Sequence, residues 1–167
     1  MLLTKINKES SNPMLYSNNN LEPQMMSDGD FEKAVLVIAD APSRRDLKSA
    51  LDRLPVSADA KSLLHDLANL TITVGKQILA IGRKIVSFAL SLAKTFPNTI
   101  FGVILGVVLT VLIGSISLLG PLLAPVLGPL FVGFGLSMGA VNDMRNGDLH
   151  TRVDEFVMDL QGLSVGR

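Results

Sequence analysis

The sequence predicts an all-α protein: an integral membrane helical hairpin of two spans, preceded by a long amphipathic helix and short cytoplasmic helices. The main observation is that no charged residue lies between Lys94 and Asp143. Inserting one charged side chain into a bilayer costs about 2.5–3.5 kcal/mol, so a long charge-free segment is typical of a chain that crosses lipid. The second observation is a preceding segment in which polar side chains are confined to one side of a helix. We find no strand pattern that competes with these helices.

The composition restricts the classes of function. The chain has 167 residues, with 15 basic and 15 acidic side chains and no cysteine. A balanced charge does not favour nucleic acid as a partner. Without cysteine, the chain has no disulfide, no thiolate nucleophile and no cysteine metal ligand. It also contains no phosphate-binding glycine loop, HExxH or GxSxG motif, so we expect no enzymatic activity, no cofactor and no metal site.

The N-terminal part divides into two regions. Residues 1–29 are rich in Asn, Ser, Met and Pro and show no hydrophobic period, which predicts a disordered lead. Residues 30–70 show three short amphipathic segments separated by prolines. Asp30, Ser43 and Ser57 are candidate N-caps for them, because short polar side chains at that position accept hydrogen bonds from the first turn. We predict a cytoplasmic helical region over 30–70.

The next segment, 71–95, predicts an amphipathic basic helix. Its polar side chains fall within a narrow arc at 100° per residue, and the rest of the circumference is almost wholly apolar. Such a helix lies at a membrane surface with its cations toward lipid headgroups, faces a wet vestibule inside an oligomer, or forms part of the core of a soluble bundle. The cations that would contact headgroups or line the vestibule are Lys76, Arg83, Lys84 and Lys94.

The transmembrane helical hairpin is predicted over residues 96–142. A bilayer core about 30 Å thick needs about 20 helical residues, and residues 100–119 and 122–141 supply two such spans. Gly120 and Pro121 would form the turn between them. Because the cations lie on the flanks of the hairpin, the positive-inside rule puts both termini in the cytoplasm, with a bacterial inner membrane as the expected location.

Small residues recur at intervals of four along both spans, an arrangement that lets helix backbones approach closely in lipid. Two spans alone make one contact, so the remaining small-residue face requires a second subunit, and we expect a homo-oligomer. The predicted helix-packing positions are Gly102, Gly106, Thr110 and Gly114 in the first span and Ala124, Gly128, Gly135 and Gly139 in the second.

The C-terminal residues 143–167 predict an amphipathic helix. At its start, residues 145–150 spell R-N-x-x-x-H, which resembles the short signature of HEPN-type ribonucleases. The resemblance implies that Arg145 and His150 from two subunits share one RNA-cleaving site. Read from the residues alone, the same segment is a capped turn, with Asp148 as the N-cap of the helix.

Together these features predict a small oligomeric membrane protein that forms or gates a pore or otherwise permeabilises a membrane, as a regulated, defence-type effector. The alternative is a membrane-anchored adaptor or structural protein whose residues 30–70 recruit a soluble partner, and the remote alternative is a HEPN-like ribonuclease. The expected partners are membrane lipids, further copies of the chain and a soluble regulatory protein. Some toxins conceal an apolar hairpin within a shell of amphipathic helices. The shell available here is too small to enclose two 20-residue helices in one monomer, but a soluble oligomer could enclose them.

Overall fold

Helix and strand positions come from a computed structural model, which describes residues 28–97, 99–136 and 147–164. The disordered lead was predicted over residues 1–29. Residues 1–27 lie outside the described residues, and residues 28 and 29 belong to the first helix. In chain order the elements are α1 (Asp28–Ala39), α2 (Arg44–Asp52), α3 (Ala58–Ala68), β1 (Ile72–Val74), β2 (Gln77–Leu79), α4 (Ile81–Thr95), α5 (Phe101–Ser115), α6 (Gly120–Gly133), α7 (Asp148–Leu160) and a 3₁₀ turn (Gln161–Ser164).

Helix α5 occupies the centre of the fold. Its sequence, FGVILGVVLTVLIGS, is apolar around its whole circumference, and every residue from Phe101 to Leu109 is buried. A helix that is hydrophobic on all sides must be covered on all sides. The covering comes from α4, α6 and α7, which all pack against α5. Helix α3 packs against α4 and α6, while α1 packs against α7 and the 3₁₀ turn.

The predicted membrane hairpin is wrong. Within the described residues, no helix has both the length and the apolar composition that crossing a bilayer needs. Helix α5 has 15 residues and α6 has 14, which at 1.5 Å per residue gives about 21–23 Å each. The integral-membrane localisation and the description as a transmembrane, pore-forming protein are contradicted with it. The physical reason is that a charge-free sequence indicates exclusion from water, and a protein core excludes water as lipid does.

Both predicted spans end early because the backbone leaves the helical conformation. Ile116 is extended, with φ −122° and ψ 104°, and stops α5 four residues before the predicted end. Pro121 does not lie in the turn between the helices but in the first turn of α6, where its missing N–H costs nothing. Gly135, with φ +66°, follows the end of α6, and residues 137–141 of the predicted second span lie outside the described residues.

The predicted long helix over 71–95 is also wrong, because its first half is a β-hairpin. Strands β1 and β2 pair antiparallel, with Ile72 opposite Leu79 and Val74 opposite Gln77. Gly75 has a φ of +62° in the turn between them, a conformation that favours glycine. The β-branched run before this glycine is the strand signal that helical periodicity obscured. A helix begins only at α4.

The short N-terminal helices are confirmed, with two of their three caps. The Ser43 hydroxyl oxygen accepts from the Asp46 backbone N–H at 3.1 Å, and the Ser57 hydroxyl oxygen accepts from the Ala60 N–H at 3.1 Å. Asp30 is not a cap, because α1 already begins at Asp28.

The C-terminal amphipathic helix is confirmed in α7. Gly147 occupies the N-cap position and Asp148 is the first helical residue, so the predicted cap is displaced by one residue. The predicted apolar side is buried, and it consists of Leu149, Val153, Phe156, Val157, Leu160 and Leu163.

Close approach between helices depends on Gly82 in α4. A Cβ atom there would overlap the carbonyl oxygen of Leu67 at the end of α3, while the Gly82 backbone N–H donates to the Leu70 carbonyl at 3.0 Å. Gly114 in α5 is the contrasting case, because a Cβ at that position would have no atom within 4 Å.

This contrast gives a stability prediction. Gly82→Ala should lower the free energy of unfolding by about 1–3 kcal/mol, the usual cost of forcing an extra group into a packed region. Gly114→Ala, the matched control, should raise it by about 0.5–1 kcal/mol, because alanine loses less backbone entropy in a helix. Urea unfolding followed by circular dichroism measures both. Equal effects of the two variants would contradict the close packing of α3 on α4.

Candidate functional site

Helix α6 exposes a continuous apolar surface that we call the α6 face. The sequence of α6 is GPLLAPVLGPLFVG. The residues of the α6 face form two ridges, each with a spacing of four residues. None of them has a charged or hydrogen-bonding side chain. Val132 is 83% exposed, although large aliphatic side chains are normally covered. The α6 face consists of Pro121, Ala124, Pro125, Gly128, Pro129 and Val132.

The opposite side of α6 holds the helix in place. Leu123 and Leu130 are buried in the core. At the C-terminal end, the ring of Phe134 lies against Gly102 of α5 and its centroid is 6.1 Å from that of Phe101. The inner side is engaged with the rest of the fold, and within the described residues the outer side is exposed.

Two prolines restrict the backbone of the α6 face. Pro125 and Pro129 lie inside the helix, and each lacks the N–H that would bond to the carbonyl four residues earlier. Their fixed φ angles, like the small side chains around them, leave little conformational freedom to lose on binding. A surface of this kind is preorganised, and the ordering cost of association is correspondingly low.

The predicted helix-packing residues divide between the interior and the α6 face, and their packing role remains a prediction. Gly102 and Gly106 are buried in α5, and the Thr110 hydroxyl is buried without a hydrogen-bond partner within the described residues. Gly139 lies outside the described residues. The others are more open: Gly114 near the end of α5, Ala124 and Gly128 on the α6 face, and Gly135 beyond it.

The predicted cations do not form one stripe. Lys76 lies beside Gly75 in the hairpin turn, whereas the other three belong to α4. One guanidinium nitrogen of Arg83 donates to the Pro42 carbonyl at 3.1 Å. The Lys84 ammonium lies 3.8 Å from the Asp40 carboxylate, and Lys94 is exposed in the last turn of α4.

The candidate ribonuclease residues remain untested. Arg145 lies outside the described residues. His150 is half-buried in the first turn of α7, where its Nε2 lies 3.4 Å from the Asp154 carboxylate. Its Nδ1 is buried and has no hydrogen-bond partner within the described part of the chain.

A polar cluster joins α2 to α3 at Asp52. The Lys48 ammonium donates to its carboxylate at 2.9 Å, His65 Nε2 lies 3.3 Å from the other carboxylate oxygen, and the Lys61 ammonium donates to its backbone carbonyl at 2.7 Å. The hydrogen bond from Lys48, followed by that from His65, holds the pKa of Asp52 below its ordinary value of 3.8. The cluster is exposed and lacks the buried acid–base pair that general catalysis uses.

Comparisons with known proteins identify no relative of this chain. No family model, curated protein or solved structure matches the chain. Across the described residues, no group of His, Asp or Glu side chains could hold a metal ion. The α6 face is taken as the candidate site because it is apolar and exposed.

The Asp52 cluster predicts a pH-dependent contribution to stability. Because the folded-state pKa of Asp52 is lowered, its contribution is present above the unfolded-state pKa and is lost as the pH falls through the folded-state value. Asp52→Asn should therefore lower the melting temperature at neutral pH, and the difference from wild type should shrink as the pH falls below 3.8.

Thermal unfolding from neutral to acidic pH measures this effect. Asp66→Asn is the matched control, since Asp66 is exposed on α3 and has no ion pair within the described residues. A difference between wild type and Asp52→Asn that stays constant across the pH range would contradict the assigned pairing.

Proposed function

We propose that the protein is a non-enzymatic adaptor that binds a second copy of itself through the α6 face and presents helices α1–α3 to a soluble partner. The observation that carries the proposal is that the α6 face is apolar, exposed and uncharged along the whole helix. Contiguous apolar surface of this kind marks interaction sites on proteins. The adaptor alternative predicted from the sequence is retained here without its membrane anchor.

The size of the α6 face sets the strength of the expected association. With 14 residues, α6 is about 21 Å long, and a strip about 10 Å wide amounts to roughly 200 Å². A standard interface buries about 800 Å² on each partner. The half-buried Leu122, Val126, Leu127 and Phe131 beside the strip extend it. Because this area is smaller than that of a standard interface, we expect a weak association in which the dimer forms only at higher protein concentration.

Charge favours a second copy as the occupant. A two-fold interface places the same surface on both partners, so that surface must complement itself. An uncharged helix face meets this condition, because no like charges face each other across the axis. The whole chain has a formal net charge of zero, so long-range repulsion does not oppose the approach of two copies.

The shape of the α6 face also suits another helix of the same kind. A Cβ at Gly128 would have no atom within 4 Å, which leaves room for a ridge from the partner. The two ridges follow the four-residue spacing that interlocks when helices cross at about −50°. Helices that lie on lipid instead pair an apolar side with cations on the polar side, and α6 contains no cation.

The membrane-permeabilising effector predicted from the sequence stays a prediction. No described helix can span a bilayer as that function required, and its remaining support is the uncharged sequence of α5. Dye-loaded liposomes distinguish the two functions. Dye release by the purified protein would favour the permeabilising function, whereas self-association without lipid favours the adaptor.

Self-association through the α6 face predicts a specific effect of added charge. Ala124→Lys combined with Val132→Lys should make the protein monomeric, because two lysines on each copy would then face each other across the interface. Sedimentation velocity over a range of protein concentrations measures the change. Wild type should shift from monomer toward dimer as its concentration rises.

The matched control is Leu36→Lys combined with Met158→Lys. Leu36 and Met158 are 69% and 70% exposed on other helices, and this double variant adds the same charge outside the α6 face. It should associate as wild type does. A wild type that remains monomeric at every concentration, or equal loss of association in both double variants, would overturn the proposal.

A further inference from the structure

A second surface, at the junction of α2, α3 and the start of α4, carries basic side chains. We call it the basic cleft. Its rim consists of Arg44, Lys48, His65, Asn69 and Arg83, no acidic side chain lines it, and its volume is about 380 Å³. The floor includes Leu47 and Leu51, both buried.

Three helices bring the rim together. Arg44 is the first residue of α2, and Lys48 follows one turn later on the same side. His65 lies in the last turn of α3. Arg83 comes from the first turn of α4, which the β-hairpin returns to the end of α3. The basic cleft therefore depends on the tertiary fold and is not a cluster of sequence neighbours.

Contacts behind the rim hold parts of it in position. Arg83 is half-buried, and its bond to the Pro42 carbonyl at 3.1 Å uses one of its nitrogens, which leaves further N–H donors for a ligand. The Asp52 carboxylate lies outside the cleft and contacts two rim residues. One of its oxygens accepts from the Lys48 ammonium at 2.9 Å, and the other lies 3.3 Å from His65 Nε2. Neither guanidinium on the rim has a carboxylate partner within the described residues, so Asp52 offsets only the charge of Lys48 at its side of the cleft.

We propose that the basic cleft binds a phosphate-bearing small molecule. Guanidinium groups match phosphate oxygens with paired hydrogen bonds, and Arg44 and Arg83 supply two of them. Lys48 and the Asn69 amide add donors, and the buried side chains of Leu47 and Leu51 support the rim from below. The volume falls within the range of about 300–1,000 Å³ that small-molecule sites occupy.

This binding is separate from assembly through the α6 face. The phosphate group can belong to a free metabolite or to a lipid headgroup, and both present the same chemistry to the rim.

Isothermal titration of the full chain with inorganic pyrophosphate tests the proposal. Saturable binding is expected. Arg44→Gln combined with Lys48→Gln should weaken it by about tenfold or more, since a charge-assisted hydrogen bond contributes about 1.5–3 kcal/mol. Arg44→Gln alone, which leaves the Asp52 cluster intact, should weaken it in the same direction. Circular dichroism confirms that each variant is folded.

The control is Arg45→Gln combined with Arg53→Gln, which removes the same charge from α2 and its C-cap, outside the basic cleft. It should retain wild-type affinity. A second arm uses phosphatidylcholine vesicles containing phosphatidic acid. If the protein binds the vesicles, pyrophosphate displaces it from them and Arg44→Gln weakens the binding, the phosphate belongs to a lipid headgroup. If the protein binds pyrophosphate but not the vesicles, the phosphate belongs to a free molecule.

Two results would overturn the proposal. One is the absence of saturable binding to both probes. The other is an equal loss of affinity in the two double variants, because binding would then depend on net charge and not on the basic cleft.

Discussion

The burial of α5 is the constraint on which the rest of the fold depends. A helix with apolar side chains on every side cannot stabilise itself in contact with water, so neighbours must cover it all round. Helices α4, α6 and α7 meet that requirement directly. Helix α1 packs in turn against α4 and α7, and α3 packs against α4 and α6, while one side of α6 stays exposed. Close approach at Gly82 completes this packing, because α4 can cover α5 and still contact the end of α3.

The same constraint explains why α6 is left with an exposed apolar side. The amphipathic helices enclose α5 from Phe101 to Leu109, and the side of α6 that packs on α5 is covered in the same way. No amphipathic helix remains within the described residues to cover the other side. Within the part of the chain that the structure describes, the α6 face is thus left uncovered, and a second copy is a simple source of cover. The basic cleft has a different origin, since it forms where α2, α3 and α4 converge on their charged sides.

The sequence predicted the local features well and the environment of the apolar helices poorly. Ser43 and Ser57 act as caps, and the apolar side of α7 is buried, because these features depend on neighbours along the helix. The predicted spans were wrong because an uncharged sequence indicates that a segment is removed from water but does not indicate whether lipid or protein surrounds it. The β-hairpin was missed because Lys76 and the α4 cations share a helical period by coincidence. The basic cleft could not be predicted, since Arg44, His65 and Arg83 meet only through the tertiary fold.

The most direct test of the central claim is hydrogen exchange along α5, measured by mass spectrometry with and without lipid vesicles. If α5 is enclosed by protein, its amides should exchange among the slowest in the chain, at rates set by global unfolding, and added bilayers should leave those rates unchanged. Rapid exchange of α5 in buffer, with protection appearing only when bilayers are added, would contradict the enclosed core and every conclusion drawn from it.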